Sequence, residues 1–171
     1  MSTNRLAALA HYVIWKCAPA DLGATKLNKI LWFADLEHYH HTGHSITGAT
    51  VYTKLQHGPV PKDIMRALEA LTAEQKIAQS TENYYGFPKT MFLALTRPDL
   101  SPFTADEIAT VDMIAELICH DHTAASISRL SHDALWEETE VGADMSIGAG
   151  AVVSGEATAE DLAWARQAFA D

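Results

Sequence analysis

The sequence predicts a mainly α protein of the α+β kind: one compact domain over residues 1–171, with about six helices and a small antiparallel β element. Three observations predict it. Apolar residues recur at three- and four-residue offsets through most of the chain. Strand-forming residues gather only at 49–56 and in the pair 77–78 and 91–95. No repeat, heptad seam or linker interrupts the chain, and 48% hydrophobic with 20% charged residues excludes disorder and suits a single core.

Each element follows from local chemistry. Residues 4–17 read as a first helix, with Leu6, Leu9, Ala10, Val13 and Cys17 on one face. His11 and Lys16 interrupt the apolar run, so an amphipathic helix is preferred over a secretion signal. Pro19 and Gly23 end it. Thr25 is the expected N-cap of a second helix from Lys26 to His41, which Gly43 stops. Ala49–Gln56 is expected to be extended. His57-Gly-Pro-Val-Pro61 is read as a turn, with Pro61 in the first turn of a third helix carrying Ile64, Leu68 and Leu71.

Two short strands, Ile77–Ala78 and Met91–Leu95, flank turns at Asn83, Gly86 and Pro88. Thr104-Ala-Asp-Glu107 has the pattern of a capping box and opens a helix bearing Ile108, Val111, Ile114, Ala115 and Ile118. Thr123–Leu130 is a short helix, and Ser131–Glu138 its continuation or a turn, with Ser131 as a cap. Gly142–Gly155 is expected to be irregular. Thr158 and Asp161 open a last helix with Leu162, Ala165 and Phe169.

Charge is divided along the chain. Residues 1–98 hold ten Lys/Arg and seven Asp/Glu, or +3; residues 99–171 hold two and fifteen, or −13, giving −10 overall. An acidic half does not suit the phosphate backbone of nucleic acid but suits a basic partner. No stretch reaches the ~18 apolar residues that a membrane-spanning helix needs. Cys17 and Cys119 have neither metal-finger nor redox spacing and read as small apolar residues in a reducing cytoplasm.

Four of the nine histidines lie at His38, His40, His41 and His44. His38 and His41 prolong the stripe of Leu27, Ile30, Leu31 and Ala34, which favours a packing role. His40 and His44 have H-x-x-x-H spacing without the glutamate of a zinc hydrolase, and Cys119-His-Asp-His122 is too crowded for three ligands to face one ion. A metal-dependent hydrolase using residues 38–44 with His57 or His120 is therefore the alternative reading, and no metal or cofactor is expected. Ser131-His132-Asp133 has triad residue types, but adjacent side chains cannot converge as a relay. Gly148-x-Gly150 lacks a nucleotide fingerprint's third glycine. No catalytic residues are assigned.

The segment Lys26, Leu27, Lys29, Ile30, Leu31, Phe33, Ala34, followed by Tyr52 and then Gly58, Pro59 and Val60, resembles the Panacea domain of SocA-like antitoxins and phage-associated GepA-type proteins. The resemblance is strongest over 8–140, with Leu130-Ser131-His132 and Trp136 matching a weaker downstream pattern; Trp32 stands where tyrosine is usual. It implies a cytoplasmic, non-enzymatic antitoxin that neutralises a toxin encoded by the adjacent gene through direct contact, and in the SocA case an adaptor delivering the toxin to a protease. A phage-derived interaction protein without a toxin is a further alternative. No added DNA-binding segment is expected. Because aromatic residues anchor interfaces, the expected partner-binding residues are Trp32, Asp35 and Tyr39 on the second helix and His57, Gly58 and Pro59 at the turn.

Overall fold

The computed structural model describes residues 2–154. In chain order these form α1 (Ser2–Lys16), α2 (Gly23–Thr42), β1 (Val51–Leu55), β2 (Gly58–Pro61), α3 (Ile64–Ala73), β3 (Ile77–Tyr84), β4 (Phe87–Ala94), α4 (Ala105–Asp121), α5 (Ala124–Leu130), α6 (Ala134–Glu138), β5 (Asp144–Ser146) and α7 (Ile147–Ser154). The described residues are thus mainly α, with two small antiparallel sheets. The expected helix at 158–169 lies outside the described residues.

The organising element is α2, which packs against α1, α4, α5, α7, β2 and β4. Leu27, Ile30, Leu31 and Ala34 enter the larger core with α1, α3, α4 and the β3–β4 hairpin. Trp32 and Leu36 enter a second core with Tyr52, Met145, Ile147 and Ala151. A helix apolar on more than one face must be covered on more than one side, and this is how the chain covers it. The capping box forms as expected: Thr104 Oγ1 accepts from Glu107 N while Glu107 Oε2 accepts from Thr104 N. Gly43 ends α2 in the left-handed conformation, its N–H donating to Tyr39 O.

Several local expectations are corrected. Helix α2 starts at Gly23, and Thr25 does not cap it. The His57–Pro61 stretch is not only a turn, because Gly58–Pro61 is a strand pairing Leu55↔Gly58 through Tyr52↔Pro61, and α3 begins at Ile64. The order β2-β1-β5 makes β2 an edge, which is where proline is tolerated. Pro59 and Pro61, two residues apart, share one phase and both turn their missing donors away from β1. The hairpin is longer than expected, reaching Tyr84↔Phe87 over a two-residue turn with Tyr85 at φ 51° and Gly86 at φ 87°. Ser131 is a cap as expected, at the C-terminus of α5; Asp133 is the N-cap of a separate helix α6, accepting from Trp136 N at 2.9 Å.

Residues 142–154 of the glycine-rich stretch are ordered, with β5 pairing Val51↔Ser146 and Thr53↔Asp144 and α7 following it, while Gly155 lies outside the described residues. Its glycines permit close approach. A side chain at Gly150 would lie 2.9 Å from Trp32 and Leu36 atoms, and one at Gly148 would lie 3.2 Å from the Tyr39 hydroxyl.

Candidate functional site

Helix α2 carries two polar side chains into the interior. Asp35 accepts from Thr47 N at 2.9 Å, from Thr47 Oγ1 at 2.5 Å and from the Tyr52 hydroxyl at 2.9 Å. Burial pushes its pKa up to about 6, against the opposing pull of those donors. Trp32 meets Tyr52 edge-on at 4.9 Å. Trp32 and Asp35 therefore fasten the 45–52 segment to α2 from within.

Lys29 is the second buried group. Its ammonium donates to Pro59 O at 3.3 Å, and desolvation lowers its pKa to about 7. Directly above it Gly58 holds φ 111°, and a Cβ there would fall 2.4 Å from both Lys29 Nζ and Ser131 Oγ. Only glycine fits. Ser131 Oγ donates to Ser128 O at 2.8 Å, and Ser128 Oγ donates to His57 O at 2.8 Å.

Beside this contact the His132 ring stacks on Trp136, with centroids 3.6 Å apart and planes at 6°. Lys54 Nζ sits 3.9 Å from the Trp136 ring centre and donates to Thr139 O at 2.7 Å. Burial lowers the His132 pKa first, and the positive charges of Lys29, Lys54 and His57 add to the effect. Three segments distant in sequence thus meet through Lys29, Gly58–Pro59 and Ser131–Trp136.

Of the expected partner-binding residues, Trp32, Asp35, Gly58 and Pro59 are buried, Tyr39 is half-buried and His57 is exposed. The structure brings His57, Gly58 and Pro59 to Lys29 and Ser131, while Tyr39 lies against α7. Sequence reasoning did not single out Lys29, Lys54 or Ser131 as site residues. For Lys29 the signal was a lysine on the same helical line as Phe33 and Leu36, where a charge is out of pattern; Lys54 and Ser131 carried no such signal.

The histidines do not converge. His38 is half-buried, 4.0 Å from the Glu107 carboxylate, whereas His40, His41 and His44 are exposed. The expectation that His41 continues the core stripe is corrected, because His41 is exposed and faces open space between α2 and α4 rather than packed core. His41 pairs with Glu37 at 3.1 Å instead. Among the described residues, no group of three or more His, Cys, Asp or Glu side chains could hold a metal ion. Cys17 and Cys119 are free thiols with sulfurs 3.4 Å apart. No helix among the described residues is long and apolar enough to cross a membrane.

The model of one family, described as antitoxin SocA-like, Panacea domain, matches residues 27–137. That span contains the whole Lys29–Gly58–Ser131 contact and ends just past Trp136. Comparison with curated proteins gave no match, and comparison with solved structures gave none.

Proposed function

The chain belongs to the SocA-like, Panacea-domain antitoxin family, and from that premise we propose that it neutralises a basic toxin encoded by the adjacent gene through direct protein–protein contact. It does so as a single domain, without catalysis. The observation that carries the reading is the convergence of Lys29, Gly58 and Ser131. Lys29 and Ser131 are engaged by the protein's own backbone carbonyls, as a scaffold requires, and what the scaffold presents outward is the His57 turn beside the half-buried His132–Trp136 stack. Of the expected contact residues Tyr39, against α7, and His57, beside the Lys29–Ser131 contact, are the accessible ones, and the buried Trp32, Asp35, Gly58 and Pro59 act as supports. A route by which the complex hands the toxin to a protease is compatible with the same surface.

Co-expression with the neighbouring gene tests the reading. His57→Asp and Tyr39→Ala should lose rescue from toxicity while keeping the circular dichroism spectrum, and toxin half-life with and without this chain separates sequestration from delivery to a protease. A neighbour harmless when expressed alone would end the antitoxin assignment; rescue by both folded variants would move the interface elsewhere.

A further inference from the structure

Helices α2, α4 and α5 enclose a groove of about 550 Å³. Leu36, Ile118 and Ile127 form its buried floor, and Leu117 and Leu130 stand on its walls with 46% and 58% of their surface exposed. A single exposed leucine is ordinary, but two flanking one apolar floor make a patch of the kind that marks an interaction site. Glu37 and Asp133 stand at its rim, and Asp121 follows Leu117 by one helical turn on α4.

We propose that this groove docks an amphipathic helix of a partner protein whose apolar stripe is flanked by lysine or arginine. The proposal rests on the protein-partner reading above and adds a further contact, separate from Tyr39 and His57, and what the partner presents there. A trough between helices takes apolar anchors at offsets of three, four and seven. The sign of the flanking charge follows from the rim carboxylates and from the −13 balance of residues 99–171. Glu37 already contacts His41 at 3.1 Å and would exchange that partner for the incoming cation. Two other occupants fit less well on charge. Residues 155–171 of this chain hold four acidic residues against Arg166, and a second copy would bring another net −10.

The test uses the full chain and two synthetic helical peptides, one of leucine and lysine at amphipathic spacing and its leucine–glutamate counterpart, read by fluorescence anisotropy. The chain should bind the first and not the second. Leu117→Glu with Leu130→Glu should weaken binding by about tenfold or more. Both changes add negative charge, so diffuse attraction alone would strengthen binding, and a loss reports the groove. Both positions are exposed, and an unchanged circular dichroism spectrum checks the fold. Equal binding of the two peptides, or unchanged binding by the double variant, overturns the proposal. So does binding that appears only after residues 155–171 are removed, which gives the groove to the chain's own end. A dimer dispersed by Leu117→Glu in sedimentation gives it to a second copy and likewise overturns it. Co-expression with the neighbouring gene keeps the two readings apart: a harmless neighbour removes the toxin while the peptides still decide the groove.

Discussion

At Lys29 an amine is held where water cannot reach it, and this makes the residue a reporter of its own burial. Its pKa is about 7 in the fold against 10.5 as an ordinary lysine, so between those values the unfolded chain binds the extra proton. Stability from this group is present above pH 10.5 and lost as pH falls through about 7, with a slope of at most ~1.4 kcal/mol per pH unit. Denaturation midpoints should therefore rise from pH 7 to pH 9, and Lys29→Met should flatten that rise. An equal rise in the variant would assign it to other groups. Asp35 acts in a lower window: its raised pKa gives stability at acid pH that is lost between 3.8 and about 6. At Gly58 the geometry is harsher, because even a methyl group meets Lys29 and Ser131 at 2.4 Å with φ at 111°. Gly58→Ala should cost more than the ~1 kcal/mol typical of point mutants, read as a lower midpoint; an unchanged one would show that Lys29 moves aside freely. The sequence marked Gly58 as special through the proline that follows it. It could not mark the reason, which lies in residues 29 and 131. Nor could it tell an interior tryptophan from one at an interface, since both are large apolar groups on a helix; Trp32 proved interior.

At the scale of elements, what was legible was local. Helices α1, α3, α4 and α5 carry their apolar period within a few turns, and Gly43 and the Thr104–Glu107 box announce their ends in adjacent residues. What was missed depends on distant partners. Strand β5 exists because Val51 waits 95 residues upstream of Ser146, and β2 exists because β1 offers it an edge. The outer part of the hairpin, Ser80–Tyr84 and Phe87–Pro88, is exposed on both faces, so it shows no alternation to read. Glycines 148 and 150 suggested irregular chain, but in α7 they let the helix lie close to Trp32, Leu36 and Tyr39. Gly150→Leu should consequently loosen α7 and β5 from α2 while sparing the β3–β4 hairpin. Hydrogen exchange would show lost protection at 144–154 alone; a uniform loss would mean that α7 is integral to the whole fold. For comparison, Thr104→Ala removes one half of a capping box and should cost ~1 kcal/mol.

Across the whole molecule the dominant property is the separation of charge. Residues 99–171 carry −13 and residues 1–98 carry +3, so the attraction of a basic partner falls mainly on residues of the later half of the chain, the exposed Glu116 and Asp121 of α4 among them. Attraction of this kind acts before contact. It raises the association rate and is screened over ~8 Å at physiological ionic strength, while short-range packing sets the dissociation rate. With the neighbouring gene's product as partner, raising salt should slow association several-fold and leave dissociation nearly constant in stopped-flow or surface-resonance measurements. Glu116→Gln with Asp121→Asn separates this from a structural effect, because both residues are exposed. Asp121 also ends α4, where a negative charge opposes the helix dipole, so its removal favours the fold slightly. Slower association by this variant with an intact melting curve would locate the steering on α4. Association that ignores salt, or quickens with it, would mean that the partner is not basic, and the acidic half would then serve only to keep the surface hydrated.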